Sequence, residues 1–289
     1  MPIWIHAARP KTLWAAVAPV LIGTAMAFDQ GAVHWLSAMA ALLGAMLIQI
    51  GTNFANDYFD SVKGADRYER LGPTRVTQAG LVSQSAMRTA VVVTFGLAVA
   101  AGTILVWRAG WPIAAIGLVS IACGILYTAG PYPLAYHGLG DPFVLIFFGP
   151  VAVGGTYYVQ ALSIDAAVLF AGLSPGLFSV AILTVNNLRD IQSDRRAGKR
   201  TLAVRFGAIF ARREYVCCIS VSTILPVTYA LITRHHIFSL LTILVVPAAL
   251  PSIIRVIRNA EGPALNDVLA ATGKLLLLYS LLFSIGWLL

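Results

Sequence analysis

Residues 35–60 read WLSAMAALLGAMLIQIGTNFANDYFD. From Trp35 to Asn53 the stretch carries no charge. It has about the 20 apolar residues that a helix needs to cross a hydrocarbon core. From Asn53 onward, amide and carboxylate groups crowd onto the end of that run: Asn53, Asn56, Asp57 and Asp60. This one stretch predicts both the fold class, a helix in a membrane, and a polar site built on the helix end.

The rest of the chain agrees. It has 289 residues, 58% of them hydrophobic and only 11% charged, against roughly 25% charged in an average soluble domain. The mean hydropathy is +0.81. These values exclude a soluble globular protein, a disordered chain and a coiled coil. A barrel is excluded because the apolar residues come in blocks and do not alternate. The three cysteines, Cys123, Cys217 and Cys218, have neither disulfide-framework nor metal-site spacing. A net charge of +8 invites a nucleic-acid reading, but basic residues in a membrane protein first mark cytoplasmic loops, and no nucleic-acid partner is expected.

Nine spans follow from the apolar blocks: Thr12–Phe28, Trp35–Asn53, Thr89–Trp107, Pro112–Tyr127, Pro142–Val159, Ala166–Leu188, Tyr215–Ile232, Ile237–Val256 and Leu269–Leu289. Prolines inside several of them are expected to kink helices, because bundle neighbours re-satisfy the freed backbone groups. Arg9 and Lys11 ahead of the first run imitate a signal peptide. The near-spanning length of that run and the spans that follow favour an uncleaved first helix. Every Lys and Arg except Arg108 and Arg234 falls on one side of this arrangement. That side is therefore cytoplasmic, with the N-terminus inside. The expectation is one domain over residues 1–289: an all-α bundle of nine transmembrane helices around a central cavity open to the cytoplasmic side.

Two acidic clusters end the second and sixth spans. One runs Asn53-x-x-x-Asp57-x-x-Asp60 and continues through Lys63, Asp66 and Arg67; the other runs Asn186-x-x-x-Asp190-x-x-x-Asp194 and continues to Lys199 and Arg200. Spacings of three and four put side chains on one helical face. Mixed charge beyond a span is also what a solvated loop looks like, yet the same pattern occurs here in two separate spans. Like charges at such spacing repel by a few tenths of a kcal/mol per pair, so a compensating cation is expected. Oxygen ligands without His or Cys suit a hard ion, Mg²⁺, which keeps positions for water or phosphate oxygens. Lys63, Arg67, Arg189, Lys199 and Arg200 surround the acids in sequence, as a diphosphate would require.

These motifs resemble those of the UbiA-type superfamily of intramembrane aromatic prenyltransferases. Further stretches are similar to its 1,4-dihydroxy-2-naphthoate polyprenyltransferase branch, which serves menaquinone synthesis. They are Ala8-Arg9-Pro10-Lys11-Thr12-Leu13, Asn56-Asp57-x-x-Asp60-x-x-x-Gly64-x-Asp66, Gly72-Pro73-x-Arg75, and the run from Tyr127 through Gly130-Pro131-Tyr132-Pro133 to Asp141. The resemblance implies a Mg²⁺-dependent enzyme of the cytoplasmic (inner) membrane. It would join a polyprenyl diphosphate to 1,4-dihydroxy-2-naphthoate with loss of carbon dioxide and diphosphate, giving demethylmenaquinol. It implies metal ligation by Asp57, Asp60, Asp190 and Asp194, with Asn53 and Asn186 completing the shells; whether Asp60 or Asp66 is the outer ligand stays open. Lys63, Arg67, Arg75, Lys199 and Arg200 are expected on the diphosphate. Arg9, Lys11, Tyr127 and Arg189 are expected on the acceptor carboxylate. Tyr127, Tyr132 and Tyr136 either stack over a cation or anchor the helix end at the interface, and Asp141 is a proton acceptor or a helix cap. The alternatives are another acceptor, 4-hydroxybenzoate or homogentisate, and, in a different class, a cation-coupled transporter, since intramembrane acids also mark ion pathways.

Overall fold

The structure is a computed structural model that describes residues 2–63, 72, 75–258 and 260–289. Asp66 and Arg67 lie outside the described residues. Among these, all regular structure is helical. A short α1 (Ile3–Ala8) meets α2 (Trp14–Asp29) at a 51° bend. Then follow α3 (Trp35–Lys63), α4 (Gln84–Ala109), α5 (Trp111–Leu126), α6 (Gly140–Ile146), α7 (Ala152–Ala161), α8 (Ala166–Arg189), α9 (Ile191–Arg196), α10 (Leu202–Thr233), α11 (Val245–Ile257) and α12 (Ala264–Leu288). A π-turn, Phe147–Val151, joins α6 to α7, and a 3-10 turn, Ile237–Leu244, leads into α11.

Seven helical segments are long and apolar enough to cross a membrane by themselves, or up to eight if the bent N-terminal pair forms one span. Of the nine expected spans, the first and fourth match helices of only 16 residues, α2 and α5. The second differs in the opposite direction. Its helix, α3, continues past Asn53 to Lys63, so the acidic stripe extends the span and is not a loop after it.

Side chains start and stop the helices. Ser83 accepts from the N–H of Ala86, Asp165 from Ala167 and Thr201 from Val204, each satisfying a first-turn donor. Gly110, at φ 77°, separates α4 from α5, a conformation that a glycine enters without strain.

The apolar core joins α2, α8, α10 and α12, with α8 the most enclosed. Phe178, Tyr215, Leu276 and Tyr279 are fully or almost fully buried there. By contrast Val92, Leu97, Leu118, Ile224 and Leu231 face outward, as residues meeting lipid do. Close packing uses small residues: a β-carbon at Gly23 would lie 2.7 Å from the carbonyl oxygen of Val153, and one at Gly51 would press on Phe95. Gly44, which resembles them in sequence, meets no such neighbour.

Candidate active site

The helix ends that carry the acidic clusters converge on one cavity of about 180 Å³. Its lining includes Asn56 and Asp60 from α3, Asn186, Asn187, Asp190 and Asp194 from α8 and α9, and the bases Arg9, Arg75 and Lys199. Tyr127 and Thr128 add hydroxyls; Ala15, Val144, Phe148, Ile182, Leu183 and Leu269 supply an apolar wall.

On α3 the stripe divides by direction. Asn53 donates to the carbonyl of Ala8 (3.0 Å) and to the Thr12 hydroxyl (3.3 Å), tying α3 to the N-terminal turn. Asn56 accepts from the Thr128 hydroxyl at 2.9 Å and faces the cavity. Asp57, 2% exposed, is not among the lining residues. Its two oxygens accept the backbone N–H groups of Val76 (3.0 Å) and Thr77 (3.2 Å). Those residues directly follow Arg75, which pairs with Asp60. Asp57 therefore holds the segment that delivers a cation to Asp60. Asn53 and Asp57, expected as ligands from their spacing, are placed as braces. Asn56, whose lining role the spacing argument missed, is one helical turn from Asp60. The signal was present: Asn56 and Asp60 are four apart, like Asn53 and Asp57.

Asp60 is fully buried. Its Oδ2 meets Arg75 and, at 3.6 Å, Lys199, while its Oδ1 has no hydrogen-bond partner among the described residues. A buried carboxylate oxygen without a donor is costly, and here it belongs to a residue that lines the cavity.

The second cluster breaks its helix. α8 stops at Arg189, and Asp190 sits at φ −99°, ψ 11° before α9 begins. The Arg189 guanidinium forks onto Asp190 (2.8 and 2.6 Å) and also reaches Asn186 (2.7 Å) and Asn266 (2.6 Å). Expected on a substrate, Arg189 instead lies behind the acid and fixes its orientation. Asp194 lines the cavity, and its carbonyl accepts from the N–H of Lys199.

The remaining expected residues separate by exposure. Arg9 lines the cavity and sits in the left-handed region at φ 53°; Lys11, two residues on, is exposed and outside it. Lys199 is buried and lines it; Arg200 is exposed and outside it. Lys63 sits at the rim, donating to the Thr128 carbonyl at 2.6 Å. Lys63 and Lys199 lie 5.0 and 5.4 Å from the Tyr136 ring centre, so Tyr136 is the tyrosine that faces cations. Tyr132 is exposed, and Tyr127 lines the cavity just past α5. Asp141 is buried in the first turn of α6, off the cavity lining.

No group of three or more His, Cys, Asp or Glu side chains close enough to hold a metal occurs among the described residues. The donors present nonetheless fit a hard divalent ion. They are oxygens alone, arriving from two segments, with one buried Asp60 oxygen lacking a donor. Mg²⁺ characteristically takes one or two carboxylates and completes its shell with water and substrate phosphates.

Comparison with known proteins agrees with this architecture. The UbiA prenyltransferase family matches residues 16–288. The chain is 39% identical to the 1,4-dihydroxy-2-naphthoate octaprenyltransferase of Escherichia coli (strain K12), covering 98% of this chain and 94% of that one. It is 38% identical to the enzyme of the same name from Mycobacterium tuberculosis (strain ATCC 25618 / H37Rv), covering 96% and 94%. Among solved structures, a UbiA homologue from Archaeoglobus fulgidus bound to GPP and Mg²⁺ superposes with a TM-score of 0.71 at 15% identity, covering 99% of each chain. A homologue from Aeropyrum pernix K1 gives 0.64 at 15% identity, covering 99% of this chain and 98% of that one. The fold is that of the solved UbiA homologues, and the matched family is one of prenyltransferases. The chain belongs to the UbiA prenyltransferase family, which sets aside the transporter alternative.

Proposed function

We propose that the protein transfers a polyprenyl group from polyprenyl diphosphate to 1,4-dihydroxy-2-naphthoate, releasing carbon dioxide and diphosphate and forming demethylmenaquinol. The observation that carries this reading is the shared cavity. Two acidic segments far apart in the chain line it together, and cations from the loop before α4 and from the turn after α9 meet on Asp60. The relatives named for this reaction match nearly the full length of the chain.

The reaction breaks the allylic C–O bond, whose electron pair leaves with the diphosphate. The ring carbon bearing the carboxylate forms the new C–C bond. Carbon dioxide then departs, and its bonding pair restores the aromatic ring. Bound Mg²⁺ would be held by Asp60, Asp190 and Asp194 with Asn56 and Asn187, and would supply Lewis-acid stabilisation of the leaving diphosphate. Arg75 and Lys199 offer their charges to the same oxygens, a preorganised contribution that needs little rearrangement as charge develops. Asp57 and Arg189 hold Arg75 and Asp190 in place. Arg9 and the Tyr127 hydroxyl, both on the cavity lining, are the groups for the acceptor carboxylate. The apolar wall excludes water, which would otherwise capture the allylic cation.

In the membrane, α2 and α5 complete a nine-span bundle. The positive-inside rule sets the cavity mouth and the N-terminus on the cytoplasmic face of the inner membrane. The experiment is to supply purified protein with Mg²⁺, octaprenyl diphosphate and the naphthoate, then weigh the lipid product. The mass of demethylmenaquinol supports the reading; a prenylated 4-hydroxybenzoate or homogentisate formed in preference, or no product, overturns it.

A further inference from the structure

An aromatic side chain lines the apolar end of the cavity, and it stands on unusual backbone. α6 starts beside Tyr127, where a β-carbon at Gly140 would lie 3.1 Å from the tyrosine hydroxyl oxygen. Val144 is one turn deeper and Phe148 two turns deeper, on the same face; both line the cavity. α8 runs the other way, contributing Asn186 and Asn187, then Ile182 and Leu183, then Ser179. Phe148 and Ser179 thus form the floor, farthest along both helices from the acids.

Phe148 belongs to the π-turn Phe147–Val151, in which Gly149 takes a non-helical φ −108°, ψ −111°. Single π-turns inside helices recur at functional sites. This one is seated on α8 by glycines. A β-carbon at Gly149 would lie 2.6 Å from the Gly172 carbonyl oxygen, one at Gly172 2.7 Å from Pro150 Cα, and one at Gly176 2.5 Å from the Leu145 carbonyl oxygen. The backbone contact leaves little room for adjustment there, so the segment that carries Phe148 is held against α8.

The cavity measures about 180 Å³, below the ~300–1,000 Å³ of pockets for drug-sized ligands. That volume suits a diphosphate and the first part of a tail, with Phe148 at the deep end. We propose that Phe148 is a specificity-determining residue: its ring sets the length of prenyl tail accommodated without displacing the floor. The inference rests on the transferase reading above.

The test compares kcat/KM for geranyl and octaprenyl diphosphate, each with Mg²⁺ and the naphthoate, in the full-length protein. The readout is the ratio of the two donors within each variant. Removing the ring opens the deep end of the cavity, so Phe148→Ala is expected to raise the octaprenyl-to-geranyl ratio roughly tenfold. Phe148→Leu keeps an apolar, foldable side chain and shifts the ratio the same way by less; Phe148→Trp lowers it. A ratio unchanged in both Phe148→Ala and Phe148→Leu overturns the inference, as does a change confined to KM for the naphthoate. A wild-type protein that consumes neither donor overturns the transferase reading itself and the inference with it.

Discussion

The Nζ of Lys199 lies 3.6 Å from Oδ2 of Asp60, so a cation carried by the second acidic segment pairs with a buried acid of the first. The same carboxylate oxygen meets Arg75 from the loop before α4. The two motifs are therefore joined through Asp60 and the two bases that meet on it. Replacing Lys199 by Ala is predicted to lower kcat/KM by about 10²- to 10³-fold, the loss typical of one preorganised charge-stabilising donor. Steady-state kinetics with Lys199→Arg alongside would check it: the arginine variant recovers part of the rate, and equal rates for Lys199→Ala and wild type would contradict the assignment.

Asp57 offers a sharper discrimination, because two roles for it give opposite signatures. As a brace for Val76 and Thr77, its loss strands two backbone donors at about 1–3 kcal/mol and frees the segment holding Arg75. Asp57→Ala is then expected to raise KM for the prenyl diphosphate about tenfold while leaving the Mg²⁺ concentration for half-activation near wild type. A large rise in that Mg²⁺ requirement would instead make Asp57 a ligand.

Arg189 is predicted to matter for stability before chemistry. It neutralises buried Asp190 through two contacts and also binds Asn186 and Asn266. Removing one partner of such a buried pair costs about 3–5 kcal/mol. Thermal unfolding in detergent should show a marked fall in Tm for Arg189→Ala and a smaller one for Arg189→Lys, whose ammonium lacks the planar fork. An unchanged Tm in Arg189→Ala would contradict the network.

The glycine seat under the π-turn carries its own expectation. Gly172→Ala forces a methyl group against Pro150, and overpacking of this kind costs about 1–3 kcal/mol. Gly44→Ala, at a glycine with open space around it, should leave Tm unchanged. Equal Tm values for the two variants would show that the close approach is not a constraint.

Much of this was legible in the sequence, for identifiable reasons. Apolar blocks mark the helices because lipid leaves no alternative way to satisfy the backbone. The acidic clusters mark the site because like charges need a reason to gather. What was not legible lies in long-range partners and in register. Asn53 and Asn56 present the same amide in the same motif; only the contacts with Ala8 and Thr128 tell the brace from the lining residue. Arg9 and Lys11, or Lys199 and Arg200, look interchangeable along the chain. A left-handed turn at Arg9 and the burial of Lys199 separate them. The split of Asp57 from Asp60 depends on contacts with residues 75–77, which no helical spacing encodes.

The central claim, that Asp60 and Asp190 serve one metal–diphosphate site from opposite halves of the chain, is tested most directly by Mg²⁺-dependent diphosphate release. Wild type, Asp60→Asn and Asp190→Asn would be compared over a Mg²⁺ titration. The account predicts that each single substitution cuts the maximal rate by at least about 10²-fold and moves Mg²⁺ half-activation to higher concentration. Wild-type rates and Mg²⁺ dependence in either variant would contradict it.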